Sequence, residues 1–219
     1  MRNATRALVS TLGTIMGLGG IEHGIGEVLQ GNTVTSGLIF PSWPNSVFFR
    51  IVGGEPAMSV IPNYLVTGIL AIIFSLVFTV WATMLIDRKK GSLVLIFLSI
   101  IMLLLGGGIF PPIIGILLGI LGTRINAPLT WWHSHLSVGF RHFLENLWPW
   151  SFTVCIISWL SLFPGMSVFD YLFGINNSNL AYITMLCAFG LLLLTVFAGF
   201  AKDAQQQAGL HHTVLVTGN

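Results

Sequence analysis

Long runs of apolar residues dominate this chain, and their lengths are the first structural signal. A run of about twenty apolar residues is long enough to cross the hydrocarbon core of a bilayer as a helix. The runs therefore predict an all-α, polytopic membrane helical bundle of about six spans. These spans cover residues 7–29, 61–86, 92–107, 110–123, 148–169 and 180–201, with an outer loop at 31–60 and a polar C-terminal tail at 202–219.

The stretch 92–123 allows three arrangements, because Gly106-Gly107-Gly108 and Pro111-Pro112 interrupt it. It is a spanning hairpin, a re-entrant loop or one broken helix. A hairpin puts eight of the nine Lys and Arg residues on one side of the membrane and only Arg50 on the other, whereas a single crossing divides them five to four. Because Lys and Arg collect in cytoplasmic loops, the charges favour the hairpin. Both termini are then cytoplasmic, in a multi-pass protein of the cell membrane.

Residues 128–147 show a helical rather than a continuous apolar pattern. At about 100° per residue, Trp132, Phe140 and Phe143 fall on one face, while His135 and Glu145 fall on the other. Such a helix is too polar to span. It is expected to lie along the cytoplasmic interface, with its aromatic face at the acyl boundary.

Composition supports the same class. Hydrophobic residues make up 54% of the chain and charged residues only 7%, against about 25% charged in soluble domains. Sixteen formal charges cannot cover the surface of a soluble domain of 219 residues, so the expected partner of most of the surface is the lipid bilayer. The formal net charge of +2 is too small to indicate nucleic acid.

The first predicted span carries the strongest chemical signal. Glu22, His23 and Glu27 lie within six residues on this helix, and ionisable residues at membrane depth are rare and costly. We interpret them as candidates to line a polar path or to act as ligands. Two structural alternatives stand beside this interpretation: Glu27 meets water or lipid headgroups, and Glu22 with His23 forms a buried pair that joins helices.

Glycines form a stripe on the same helix. Gly13, Gly17, Gly20 and Gly24 recur at spacings of four, three and four residues. A stripe of small residues lets two helix backbones approach closely. It predicts a helix contact, either within the chain or through a homo-oligomer or a larger membrane complex.

A second group of candidates lies in the amphipathic segment. His135, His142 and Glu145, together with His133, have side chains that bind metals in other proteins. The alternative is that they form only the solvated side of an interfacial helix. The sequence itself identifies no metal and no cofactor.

These observations leave three functional hypotheses. The first is a component of a transporter or channel for small solutes or ions, linked to protons, with Glu22, His23 and Glu27 on its path. The second is a membrane-embedded enzyme, or a redox or metal-binding subunit. The third is a non-catalytic accessory subunit of a membrane complex.

Overall fold

The structure is a computed structural model that describes residues 3–175 and 177–217, without the side chains of residues 133, 178 and 210–217. Within this part the protein is helical apart from one two-stranded sheet. Three helical segments are long and apolar enough to cross a membrane: Tyr64–Leu85, Val138–Phe173 and Asn179–Gly209. The predicted all-helical class is confirmed, and these three helices are compatible with a membrane protein; the number of six spans and the bundle topology stay predictions.

Contacts within the chain divide it into two units, which are described separately. One unit contains residues 9–123 and 163–178 and is called the α1–α4 unit after its helices α1 (Ala4–Leu29), α2 (Tyr64–Val80), α3 (Gly91–Leu104) and α4 (Phe110–Gly122). The C-terminal unit contains residues 1–8, 124–162 and 179–219. Helix α1 (Ala4–Leu29) contributes its first residues to the C-terminal unit and the rest to the α1–α4 unit.

Helices α1 and α2 (Tyr64–Val80, continued by a π-helical turn at Trp81–Leu85) pack along the glycine stripe. A Cβ atom added to Gly24 would lie only 2.7 Å from the carbonyl oxygen of Gly68. The two backbones are therefore close enough to require glycine at the contact. Within one chain α2 covers the stripe, and association with a second copy or a larger complex stays a prediction.

A neighbouring face of α2, about 100° from the face that contacts α1, is an exposed apolar stripe. Ile69, Ile73, Leu76 and Val80 recur at helical spacing, and each is at least two fifths exposed. Soluble monomers rarely expose apolar surface in continuous patches of this kind. Such a stripe is suited to contact with lipid, which agrees with α2 being one of the three candidate spans.

Helices α3 (Gly91–Leu104) and α4 (Phe110–Gly122) follow. Gly115 faces Ser99, near the far end of α3, and Gly122 faces Ser92 at its beginning. The two helices are therefore an antiparallel hairpin and not one broken helix. Whether the hairpin crosses the bilayer stays a prediction.

The outer loop folds onto the turn of this hairpin. Its strands β1 (Ile39–Pro41) and β2 (Pro56–Met58) pair antiparallel, and a single 3₁₀ turn at Arg50–Val52 lies between them. At the end of β2, the Met58 carbonyl oxygen accepts a hydrogen bond of 2.9 Å from the backbone N–H of Gly106. Backbone pairing thus attaches the loop to the residues between α3 and α4.

The segment 128–147, predicted as one helix, contains a break. Helix α5 (Thr130–His135) ends before Leu136, whose backbone is extended, and α6 (Val138–Leu160) begins after Ser137. The Ser137 hydroxyl accepts a hydrogen bond from a backbone N–H in the first turn of α6, and an N-cap of this kind starts a new helix. Helix α6 therefore joins part of the predicted interfacial helix to part of the predicted span at 148–169.

The last two helices are α7 (Met166–Phe173), in the α1–α4 unit, and α8 (Ser178–Thr217). The predicted polar tail at 202–219 begins inside α8, because the helix continues to Thr217. In the C-terminal unit, Asp203 of α8 accepts hydrogen bonds from the backbone N–H groups of Ala4 and Thr5, at 2.6 and 3.0 Å. A carboxylate at this position satisfies N–H groups that the first turn of α1 leaves without partners.

Candidate functional site

The acidic and histidine side chains of α1 lie in the last third of the helix, inside the α1–α4 unit. His23 is 3% exposed and Glu27 is fully buried. The side chain of Glu22 is 31% exposed. Two of the three candidates named from the sequence are therefore enclosed by protein, and the third lies at the edge of the enclosure.

His23 is the centre of the group. Its Nδ1 lies 2.9 Å from the carbonyl oxygen of Gly19 and 3.1 Å from Oε2 of Glu22. Since a carbonyl oxygen only accepts, Nδ1 carries a hydrogen. On the other side of the ring, Nε2 lies 3.3 Å from Oε2 of Glu55. A hydrogen bond between these two atoms requires one proton, which is carried either by an imidazolium or by a neutral carboxyl group.

Glu55 is a member of this group that the sequence analysis did not identify. It follows Gly53 and Gly54 in the outer loop, and all three residues have positive φ, with 58° at Glu55 itself. This turn directs the chain into β2 and brings a loop carboxylate, 6% exposed, against His23. Burial is the main cause that raises the pKa of Glu55 to about 7, while the charge of His23 opposes the shift.

Glu27 has a separate set of partners. The hydroxyl of Ser42, from the outer loop, donates a hydrogen bond of 3.2 Å to its Oε1. Thr67 of α2 lies nearby and donates to the carbonyl oxygen of Leu105 at 2.8 Å. The Oε2 atom of Glu27 is buried without a hydrogen-bond partner among the residues that the structure describes. A carboxylate in these surroundings is costly unless a proton or another cation accompanies it.

The turn between α3 and α4 closes the site with glycine. A Cβ atom added to Gly106 would lie 2.7 Å from Oε1 of Glu27, and one added to Gly108 would lie 2.7 Å from Nε2 of His23. Both glycines also have positive φ, at 91° and 83°. The turn can approach the two ionisable side chains this closely only because these positions lack side chains.

The group has an excess of acidic side chains. It contains the three carboxyl groups of Glu22, Glu27 and Glu55 against one imidazole. Arg50, the cation in the same loop, instead forms an ion pair with Asp170 of α7, with Nη2 and Oδ1 2.8 Å apart. The hydrogen bond to Asp170 raises the pKa of Arg50 further. Arg50 therefore stabilises the attachment of the loop to α7 rather than the charge of the site.

Glu22, His23 and Glu55 also have the composition of a metal site. One potential ligand atom from each lies within 4.8 Å of the others. Among the residues that the structure describes, these form the one such group of three His, Cys, Asp or Glu side chains. An imidazole with two carboxylates suits divalent first-row transition metals.

The second set of sequence candidates does not converge in this way. His142 is exposed and Glu145 is partly exposed, and they form a pair with Nδ1 and Oε2 3.4 Å apart. His135 stacks on the Trp131 ring and places its Nδ1 3.1 Å from the Trp131 carbonyl oxygen. The side chain of His133 lies outside the described residues. His142 and Glu145 therefore resemble the solvated pair that was the alternative interpretation.

Comparisons with known protein families, with curated proteins and with solved structures find no match to this chain. The arrangement of the site is thus the basis for a functional proposal.

Proposed function

We propose that this chain is a small cation transporter or channel component of the cell membrane, linked to protons, with Glu22, His23, Glu27 and Glu55 on its path. In this proposal the protein has six spans and both termini are cytoplasmic. The charge asymmetry between its loops supports that orientation. The Gly91–Leu104 and Phe110–Gly122 helices then enter from the cytoplasmic side as a pair.

One observation carries the proposal: two irregular segments meet on the ionisable side chains of α1. Helices α3 and α4 contain 14 and 13 residues, or about 20 Å each at about 1.5 Å per residue, whereas the hydrocarbon core is about 30 Å thick. Each helix of the hairpin is thus too short to cross the full hydrocarbon core without local thinning of the bilayer. The outer loop supplies the remaining depth by pairing its backbone with the hairpin turn, beside His23 and Glu27.

This arrangement is characteristic of permeation sites. Non-helical backbone at membrane depth is tolerated where protein encloses it or where it lines a water-filled cavity. In many transporters, substrate and coupling ions bind near such breaks. The acidic excess of the site gives the sign of the preferred solute, because burying Glu27 and Glu55 as carboxylates is favourable only with a cation or with bound protons.

The test is flux into liposomes that contain the purified protein. Proton flux is followed with an internal pH-sensitive dye, and divalent flux with an internal metal-quenched dye. Wild-type protein is expected to produce cation flux, and Glu27→Gln is expected to reduce it at least tenfold. Gln keeps the size and hydrogen-bonding capacity of Glu but removes the ionisable group.

The matched control is Glu145→Gln, the same substitution at a partly exposed carboxylate of α6 outside the site. It should leave the flux unchanged, and size-exclusion profiles should show that both variants are folded. The proposal is wrong if wild-type liposomes are as tight as empty ones to protons and to divalent cations. It is equally wrong if Glu27→Gln transports like the wild type.

A further inference from the structure

The geometry of His23 is that of a metal ligand. In metal sites, one ring nitrogen of a ligating histidine donates to a backbone carbonyl or a carboxylate, and the other nitrogen binds the ion. Here Nδ1 donates to Gly19, and Glu22 lies on the same side. The lone pair of a neutral imidazole is thereby placed on Nε2, which points towards Glu55.

The distance from Nε2 to Glu55 agrees with shared coordination. Two ligand atoms that are each about 2.1 Å from one ion lie roughly 3.0 to 3.4 Å apart at the angles of octahedral or tetrahedral sites. The observed separation of Nε2 and Oε2 is 3.3 Å. His23 and Glu55 therefore need almost no rearrangement to bind one ion together.

Glu22 is the adjustable third ligand. Ligand atoms on opposite sides of one ion are at most about 4.2 Å apart, and the atoms of this group lie within 4.8 Å of one another. Oε2 of Glu22 lies 3.1 Å from Nδ1 of His23, so the Glu22 side chain must rotate to bring an oxygen to an ion bound at Nε2. Glu22 is the least buried of the three residues, so it has the most freedom to make this movement.

We propose that Glu22, His23 and Glu55 bind a divalent first-row transition-metal cation, such as Zn²⁺, Co²⁺ or Mn²⁺. The imidazole discriminates against Mg²⁺ and Ca²⁺, which take oxygen ligands. Three protein ligands leave a coordination position open for water or another exchangeable group. The claim that the protein transports this ion rests on the proposed function, whereas the claim that the protein binds it does not.

The binding test uses full-length protein in detergent, stripped of metal with EDTA and titrated with Zn²⁺ in a calorimeter. One Zn²⁺ per chain is expected, with no comparable heat from Mg²⁺. His23→Gln and Glu55→Gln should each weaken binding at least tenfold. A double variant with His142→Gln and Glu145→Gln, which removes the His–Glu pair of α6, should bind like the wild type.

Two further measurements keep the test decisive if a buried substitution impairs folding. Glu22→Gln changes a partly exposed side chain, and it too should weaken Zn²⁺ binding about tenfold in a protein that elutes as the wild type does. The visible absorption of bound Co²⁺ should change in this variant, because one oxygen ligand is altered. Wild-type protein without stoichiometric Zn²⁺, or site variants that all bind Zn²⁺ as tightly as the wild type, would overturn the inference.

Liposome flux separates this inference from the proposed function. If one Zn²⁺ binds per chain and this binding depends on His23, but the liposomes show no cation flux, the metal site is supported and transport is refuted. If the liposomes show proton flux that depends on Glu27, but the protein binds neither Zn²⁺ nor Co²⁺, transport is supported and the metal site is refuted.

Discussion

The contact between α1 and α2 gives a quantitative prediction at Gly24. A methyl group at this position would lie 2.7 Å from the Gly68 carbonyl oxygen, 2.7 Å from Cγ1 of Ile72 and 3.0 Å from the Ile72 backbone nitrogen. Two of these three neighbours are backbone atoms of α2, so rotation of a side chain cannot relieve the clash. The helices must separate. Overpacking of this kind costs about 1–3 kcal/mol, and the better helix propensity of Ala returns at most about 1 kcal/mol.

Gly24→Ala is therefore expected to lower the free energy of unfolding by about 1–2 kcal/mol, and the melting temperature by about 2–8 °C for a chain of this size. Thermal unfolding in detergent, followed by far-UV circular dichroism, measures the shift. Gly190→Ala in α8 is the matched control, because a Cβ there meets nothing within 4 Å. Gly20→Ala should fall between the two, since one of its close neighbours is the flexible end of Met102. Equal melting temperatures for Gly24→Ala and Gly190→Ala would refute the close contact of α1 with α2.

Two further predictions concern the loop carboxylate and the topology. Burial raises the folded-state pKa of Glu55 from 4.5 to about 7, so the folded state holds this proton more tightly and the free energy of unfolding falls as pH rises through that window. In the presence of EDTA, Glu55→Gln should therefore raise the free energy of unfolding at pH 8, by up to about 3 kcal/mol, and leave it unchanged at pH 4. Equal effects at both pH values would contradict the burial argument. In cells, an impermeant thiol reagent should label cysteine at Val34 or Gly174 but not at Lys89, and labelling of Lys89→Cys alone would reverse the proposed orientation.

The helical class was predictable because the physics behind it is local. Apolar runs near 64–85 and 179–209 are long enough to span a bilayer whatever their neighbours are, and the structure contains helices in both places. The turn at Gly106–Gly108 was predictable for a similar reason, since glycine and proline change the backbone wherever they occur. The boundaries of the helices were harder to predict. The N-cap at Ser137 divides a segment whose apolar periodicity continues across it.

Glu55 was not predictable by the same means. Nothing in Gly53-Gly54-Glu55-Pro56 distinguishes a buried carboxylate from an exposed loop residue. Its position depends on pairing between residues far apart in the chain, Met58 with Gly106. The signal available in the sequence was indirect: His23 and Glu27 lie in a predicted span, where they would require polar partners, and the neighbouring loop was the nearest source of them.

Backbone pairing between the outer loop and the hairpin turn also explains how an acidic site can be held together. Side chains explain this only in part: His23 contacts Glu55 and Ser42 donates to Glu27, but the three carboxyl groups repel one another whenever they are ionised. The backbone hydrogen bond from Gly106 to Met58 does not depend on the charge of the site. The Arg50–Asp170 ion pair, which lies outside the site, attaches the loop to α7. The loop is therefore attached to the hairpin and to α7 by contacts that do not involve the carboxyl groups of the site. Such contacts keep the loop attached while those carboxyl groups exchange protons or a cation, which is what the proposed cation path requires.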